Sequence, residues 1–274
     1  MRPALVLLAF LALAAVLAPW IAPQNPYDLA QLQLVDSRLP PLAHSASGAV
    51  RWLGTDDQGR DMLSAILYGL RTSLAVGLAS TALGFAIGVT LGLIAAWFGG
   101  WIDALIMRLA DLQLSFPSIL IALVLLAVLG QGLDKIIVAL VAVQWAYYAR
   151  AARASALVER RKEYVEAAVA LALPSARILY RHLLPNCMPS LLVLAAVQVA
   201  SAITLEATLS FLGLGLPITQ PSLGLLIANG FNYLLSGRYW ISFFPGIALL
   251  VAVVSINLVA DRLHDVLDPR ERGR

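Results

Sequence analysis

The side chains that most often carry out chemistry in proteins are few in this chain and lie far apart. The three histidines are His44, His182 and His264, and no His-Glu-x-x-His pattern is present. The single cysteine, Cys187, rules out an intrachain disulfide, and we expect it to be a packing residue. A nucleophile with its base, or a set of metal ligands, needs several such residues at one place. The sequence therefore predicts neither a catalytic site nor a metal site.

The sequence also predicts no nucleotide site. A P-loop needs Gly-Lys-Ser/Thr, whose backbone and lysine cradle phosphates. Only two lysines occur, and neither fits that pattern, because Lys135 follows Asp134 and Lys162 follows Arg161. If ATP and Mg²⁺ drive a process in which this chain takes part, another chain must bind them.

Arg108, Asp111 and Glu206 fall inside long apolar stretches, where a charge is costly and is therefore a functional candidate. Arg108 and Asp111 are three residues apart on one helical face, so we expect them to pair with each other and orient their helix. Glu206 has no evident partner within its own helix. Two roles stay open for it, lining an outer vestibule or capping a neighbouring helix.

The composition indicates the class of protein in which these residues lie. Of the 274 residues, 60% are hydrophobic and 13% are charged, and the mean hydropathy is +0.83. A soluble domain usually has about 25% charged residues. The chain therefore has the composition of a polytopic membrane protein. Its net charge of +3 is too small to suggest a nucleic-acid partner.

Six apolar stretches approach or exceed the roughly 20 residues that a helix needs to cross a membrane. They cover residues 4–21, 72–98, 102–129, 136–156, 189–212 and 239–260. We therefore predict an all-α fold with six transmembrane helices. The first, at 1–21, is expected to stay uncleaved, because it lacks the polar cleavage region of a signal peptide. Five more helices form a core over 72–260, and 261–274 forms a tail.

Most Lys and Arg residues fall on one side of these six spans, the side of the N-terminus, with a dense cluster at Arg160, Arg161 and Lys162. Cytoplasmic loops carry the excess of positive charge. Both termini are therefore predicted to be cytoplasmic.

The second predicted span carries glycines at a spacing of four residues, Gly84, Gly88 and Gly92. Such a stripe lets another helix approach closely. Packing within one subunit is the favoured interpretation, and contact with a second subunit is the alternative.

The loop at 22–71, predicted to be periplasmic, is rich in Pro, Asp and Gln and includes the run 54–61, Gly-Thr-Asp-Asp-Gln-Gly-Arg-Asp. This run lacks the ligand order and the final Glu of a calcium-binding loop. Apolar residues then recur at helical spacing between Met62 and Leu70. They predict an amphipathic helix lying near the membrane surface.

The cytoplasmic loop at 157–188 predicts two short helices joined by a turn. Residues 163–173 are rich in alanine, which favours a helix, and Pro174 interrupts it. A second amphipathic piece covers 176–184 and is expected to end at Pro185. Small side chains on a short exposed helix suit docking into a groove of another protein.

This loop resembles the signature of ABC-importer permeases, which reads Glu-Ala-Ala, three residues, Gly, nine residues, a hydrophobic residue, one residue and Leu-Pro. The matching residues are Glu166, Ala167, Ala168, Leu184 and Pro185.

One position departs from the signature, since Ala172 stands where the family has Gly. Glycine permits a left-handed backbone there. We therefore expect the chain at Ala172 to turn differently, with help from Pro174. His182 departs from the general pattern too, but Arg-His at this place resembles the peptide-importer branch.

Four further segments resemble the same branch, in chain order and over essentially the whole chain. They are residues 54–61, 108–117, 206–215 and 257–270. In the last segment, Ala260 and His264 replace the usual Gly and Arg.

The resemblance implies a transport subunit of the bacterial inner membrane without an ATPase site of its own. Its partners would be a second homologous permease, two ATPase subunits that bind ATP and Mg²⁺, and a periplasmic or lipid-anchored substrate-binding protein. Di- or oligopeptides are the favoured cargo, and nickel chelate, opine or glutathione remain alternatives. The residues implied in coupling to the ATPases are Glu166, Ala167, Ala168, Ala172, Leu184 and Pro185.

Two other classes of protein fit the sequence less well. A self-sufficient secondary transporter often shows inverted repeats and broken helices. No internal repeat is evident, and the loop at 157–188 would have no role in such a protein. A membrane enzyme would need converging catalytic groups, which the sequence does not provide.

Overall fold

A computed structural model describes residues 2–28, 32–217 and 219–267. Most of these residues are helical. The helices are α1 Arg2–Ile21, α2 Met62–Phe98, α3 Gly100–Leu114, α4 Ser118–Leu129, α5 Leu133–Glu159, α6 Glu163–Ala170, α7 Ser175–Arg177, α8 Leu184–Phe211, α9 Leu223–Phe231 and α10 Trp240–Leu267. A short antiparallel hairpin pairs β1 Ala43–His44 with β2 Val50–Arg51.

Within the described residues, four helices are long and apolar enough to cross a membrane, and five if α3 and α4 count as one bent span. The four are α1, α2, the run Ser175–Phe211 and α10. The prediction of a helical membrane protein is therefore confirmed. The predicted fourth span falls on α5, which carries Arg150 and Arg153 in its second half and is less apolar.

The separate amphipathic helix predicted between Met62 and Leu70 is wrong, because these residues form the first turns of α2. Asp61 caps this helix, and its Oδ2 accepts a hydrogen bond from the Ser64 backbone N–H at 2.8 Å. Met62 is fully buried in a cluster with Leu223 and Trp240. The apolar face therefore packs on other helices instead of lying on a membrane surface.

The predicted third span, 102–129, is broken into α3 and α4, which meet at an angle of 91°. The break lies at Ser115–Pro117, and Pro117 directly precedes α4. A proline disfavours helical geometry in the residue before it, here Phe116. One continuous helix is therefore disfavoured, although the composition remains apolar throughout.

The prediction that the second piece of the 157–188 loop ends at Pro185 is also wrong. The chain stays helical from Ser175 to Phe211. A π-helical segment, Ile178–Leu183, directly precedes Pro185. Such wider turns are known to accommodate local disruptions of the α-helical hydrogen-bond pattern, and a proline creates one.

Helix α2 packs along α5 at the centre of the bundle. A Cβ atom at Gly88 would overlap the backbone oxygen of Trp145, and one at Gly92 would overlap that of Ala149. The glycine stripe is therefore used for packing within the chain, as predicted. Continuous with this contact, a buried cluster extends from Leu93 on α2 to Val165 on α6.

Candidate functional site

Helix α6 has one buried face and one exposed face. Val165 and Ala168 are 1% and 4% exposed, and they pack in a cluster with Ile178 and Leu183. This cluster also contains residues of α2, α5 and α8, so α6 is attached to the bundle through its apolar side. Of the residues predicted to act in coupling, Ala168 is therefore an internal contact.

The other face of α6 points away from the bundle. Glu166 and Ala167 are exposed, and so are Val169 at 53% and Leu171 at 74%. Ala172 and Pro185 are exposed as well, while Leu184 is half-buried. Exposed apolar side chains beside small and acidic ones form a surface that another protein can cover.

A charged network that sequence analysis missed fixes the start of α6. Lys162 Nζ donates to Glu159 Oε1 at 2.6 Å, and the Tyr164 hydroxyl donates to Glu159 Oε2 at 2.8 Å. Burial raises the pKa of the Glu159 carboxyl, but these hydrogen bonds and the charge of Lys162 outweigh it and hold the pKa below its usual value. Burial and the bond to Glu159 raise the pKa of Tyr164.

The neighbouring Arg160 ties the same turn to α2. Its Nη1 donates to the backbone oxygen of Ala96 at 2.8 Å, and its guanidinium lies 5.2 Å from the ring centroid of Trp97. No spacing rule signals these contacts, because Arg160 and Ala96 are 64 residues apart.

The turn after α6 differs from the expectation at Ala172. This residue adopts φ +53°, the left-handed conformation that glycine usually supplies. Its N–H donates to the Val169 oxygen at 2.8 Å, and the Leu173 N–H donates to the Ala168 oxygen at 3.2 Å. The prediction of a different turn is wrong, because these closing hydrogen bonds hold the alanine at a cost of roughly 1–2 kcal/mol.

Glu206 is fully buried where α2, α8 and α9 meet. Its Oε2 accepts a hydrogen bond from Ser73 on α2, and its Oε1 accepts one from Ser210, each at 2.8 Å. Ser222, which caps α9, also reaches this carboxyl group. The expectation that Glu206 lacks a partner in its own helix is wrong, since Ser210 lies one turn further on. Its contacts join three helices and do not open onto a vestibule.

The expected pair of Arg108 and Asp111 is not formed. Asp111 Oδ1 instead lies 3.7 Å from Arg150 Nη1 on α5, and Arg108 is exposed. A closer contact joins the same two helices, since Arg153 Nη2 donates to Asp103 Oδ2 at 2.6 Å. Helical spacing showed that Arg108 and Asp111 share a face but not which neighbouring helix lies against it.

The run 54–61 forms a buried structural motif. Arg60 Nε donates to Asp56 Oδ2 at 2.6 Å, and the side chains of both residues are at most 1% exposed. The indole N–H of Trp240 donates to the Thr55 oxygen at 3.2 Å, which ties the motif to α10. Gly59 has φ +79°, and a Cβ there would overlap the backbone oxygen of Gln33. The glycine is therefore required by both conformation and space.

Solved structures with a similar fold are ABC transporters. An inward-facing form of the MetNI methionine transporter aligns with a TM-score of 0.58 and 21% identity, over 76% of this chain and 98% of that chain. An amino acid ABC transporter with histidines aligns with a TM-score of 0.55 and 17% identity, over 76% and 94%. At these identities, the likeness defines the fold alone, a helical bundle shared with ABC transporters.

The family follows from the sequence. Residues 88–273 match the binding-protein-dependent transport system inner membrane component family, and the chain belongs to it. A putative peptide transport system permease protein of Brucella suis is 43% identical over 98% of this chain and 87% of its own length. The probable D,D-dipeptide transport system permease protein DdpC of Escherichia coli K12 is 37% identical over the same shares. The dipeptide permease protein DppC of Bacillus subtilis is 36% identical over 98% and 81%.

These findings confirm the resemblance to ABC-importer permeases that the sequence motifs indicated. They do not favour a secondary transporter or a membrane enzyme. The family is that of the permease subunit and not of the ATPase subunit.

Proposed function

We propose that this chain is a pore-forming subunit of a binding-protein-dependent ABC importer that carries di- or oligopeptides into the cell. The cargo class is supported by the relatives above, whose names specify peptide or dipeptide transport and which match about the whole chain. A nickel chelate, an opine or glutathione would use the same machinery. Cargo choice is largely the task of the separate binding protein.

The proposed arrangement has six spans in the inner membrane with both termini in the cytoplasm. They are α1, α2, the bent pair α3 and α4, α5, the run Ser175–Phe211, and α10. Helix α5 has 27 residues, which at 1.5 Å each gives a length of about 40 Å, enough to cross a bilayer. The segment 22–61 then lies outside the cell, and α6 lies inside. Of the predicted tail at 261–274, residues up to Leu267 continue α10, and the remainder lies outside the described residues.

The proposed partners are a second homologous permease, two ATPase subunits and a periplasmic or lipid-anchored binding protein. The ATPase subunits would bind ATP and Mg²⁺, because the present sequence has no P-loop. This chain would act without its own catalysis. It would alternate between an outward-open and an inward-open form as the ATPases close and reset.

One observation carries the coupling role, namely the division of α6 into two faces. Glu166 and Ala167 are exposed, while Val165 and Ala168 are buried in the cluster that joins α2, α5 and α8. A partner that holds the exposed face would therefore move the packed face, and with it the bundle. Leu184 and Pro185 belong to this unit because the continuous helical run Ser175–Phe211, which contains them, starts directly after the turn that follows α6.

The test compares variants within the complete complex. The chain is co-expressed with its second permease, ATPases and binding protein, as wild type and as Glu166→Arg and Ala167→Arg. Both substitutions lie on the exposed face, so the fold should persist. We expect each to lower ATPase recovery or cargo-stimulated hydrolysis at least about tenfold, since a buried unpaired charge is costly at an interface.

The matched control is Val158→Arg, an exposed position near the end of α5 but outside α6. It should recruit the ATPases as the wild type does. Normal hydrolysis in both α6 variants would rule out α6 as the point of contact.

A further inference from the structure

A groove runs along α8, between this helix and its neighbours α4, α5 and α10. One cavity of about 200 Å³ lies between α4, α5 and α8, and another of about 310 Å³ lies between α8 and α10. Ser201 and Leu205 line both cavities, so α8 forms a common floor. We call this feature the α8 groove and define it by Gln144, Gln198, Ser201, Thr204, Thr208 and Asn257.

The α8 groove is polar although it lies in apolar helices. Ser201 and Thr204 are exposed on α8, and Asn257 is exposed on α10. Polar side chains within spans usually face the interior of a bundle or a water-filled cavity, because lipid tails offer them no hydrogen bonds. The α8 groove is therefore unsuited to contact with lipid.

A second groove on the same chain is apolar. It has about 340 Å³ and lies between α2 and α5, and its lining includes Leu83, Ile87 and Val138. The side chains that line it are apolar apart from the indole N–H of Trp145. This groove suits lipid tails, so the chain carries one apolar and one polar concave face.

None of the described residues that line the α8 groove carries a charge at neutral pH. The Thr204 hydroxyl donates to the Ala200 oxygen at 2.9 Å, and the Thr208 hydroxyl donates to the Thr204 oxygen at 2.8 Å. Their free lone pairs are acceptors, while the amides of Gln198 and Asn257 supply donors and acceptors. Neutral groups of this kind match peptide N–H and C=O groups and do not select charged side chains.

We propose that the α8 groove forms this chain's wall of the cargo path and contacts the peptide backbone through neutral hydrogen bonds. The proposal rests on the proposed importer function and adds the residues that meet the cargo. Weak, uncharged contacts suit a path, because cargo must leave as readily as it enters. They also leave discrimination between peptide side chains to the binding protein.

The first test measures whether water reaches the groove. In a Cys187→Ala background, Ser201, Thr204 and Asn257 are replaced by cysteine one at a time, and Leu83→Cys and Val138→Cys serve as controls from the apolar groove. The assembled complex in membrane vesicles receives a charged thiol reagent on both sides. We expect the groove cysteines to react at least about tenfold faster than the controls, because the thiolate forms only in water.

Two results would overturn this proposal. Equal, slow reaction at all five positions would mean that the α8 groove faces lipid. Slow reaction combined with disulfide cross-linking of these cysteines to the second permease would make it a subunit interface. Neither result depends on which cargo the importer carries.

The second test measures uptake of alanyl-alanine, alanyl-aspartate and alanyl-lysine. Uptake by the Thr204→Lys complex is divided by wild-type uptake for each peptide, which cancels discrimination by the binding protein. We expect this ratio to be several-fold lower for alanyl-lysine than for alanyl-aspartate, because like charges repel in the groove. Equal ratios for all three peptides would contradict the groove proposal. Absence of peptide uptake by the wild type would instead contradict the proposed function.

Discussion

Two segments that carry family motifs differ in whether their charged side chains are buried and paired within the chain. In the 54–61 motif, Asp56 and Arg60 are buried and paired with each other. In α6, Glu166 is exposed, and the described structure gives it no ion pair. A motif whose charged groups pair with each other inside the chain stabilises the fold. A motif whose side chains stay exposed is instead available to contact a partner protein. Changes in the two segments should therefore affect stability and assembly separately.

The largest effect is expected from Arg60→Ala. It leaves the carboxylate of Asp56 buried without its cation, which costs about 3–5 kcal/mol of unfolding free energy. The measurement is thermal unfolding of the purified chain in detergent. Arg71→Ala removes an exposed arginine and should change the transition little. Equal shifts of the unfolding transition in Arg60→Ala and Arg71→Ala would show that the buried pair contributes no more to stability than an exposed arginine does. Glu166→Arg should likewise leave the transition near that of the wild type.

A smaller loss of stability is expected from Glu206→Ala. The change leaves the hydroxyls of Ser73 and Ser210 without their acceptor, at a cost of about 1–3 kcal/mol. Glu206→Gln keeps one acceptor oxygen and should recover part of this loss. The same unfolding assay checks the order of the two variants. If alanine is no worse than glutamine, the carboxyl group does not hold α2, α8 and α9 together.

A gain is expected from Ala172→Gly in the turn after α6. Glycine relieves the left-handed strain but adds freedom to the unfolded chain, so the net stabilisation is about 0.5–1 kcal/mol. ATPase recruitment should be unchanged, because the turn keeps its shape. Ala176→Gly, at an exposed position in α7, should give no gain and is the control. A loss of stability at position 172 would contradict the observed backbone conformation.

The smallest effect is expected from pH, and it concerns the attachment of α6. The pKa of Glu159 is lowered in the folded chain, so its ionised form stabilises the fold. This stabilisation is fully present above the ordinary glutamate pKa of 4.5 and is lost as the pH falls through the lowered value. Limited proteolysis of the 160–174 segment should therefore become faster in acid. In Glu159→Gln, the rate should already be raised at neutral pH and should depend less on pH.

Some parts of the fold could be read from local sequence, and others could not. The apolar stretches predicted membrane helices because each stretch buries its own side chains in lipid and needs no partner to be recognised. The same argument failed at Pro117, where one predicted span is two helices. It also failed at Met62, where helical spacing did not reveal whether membrane surface or other helices would cover the apolar face.

The candidate site, too, could be predicted from local sequence only in part. The Glu166–Ala168 motif was recognisable because its order along the chain is local. The division of α6 into a buried and an exposed face was not recognisable, because the burial of Ala168 depends on residues such as Ile178 and Leu93 that fold against it. The role of Glu159 was missed, because the turn between α5 and α6 is what brings Tyr164 to it.

By itself, the sequence determined the class of this protein, its family and its lack of a nucleotide-binding loop, since composition and motif order are properties of the chain alone. Only the tertiary structure decided that Ser73 meets Glu206 across 133 residues, that Asp111 faces Arg150 and that α8 has a polar groove. The physical reason is that hydrogen bonds and cavities form between helices. Their partners are therefore chosen by packing and not by spacing along one helix.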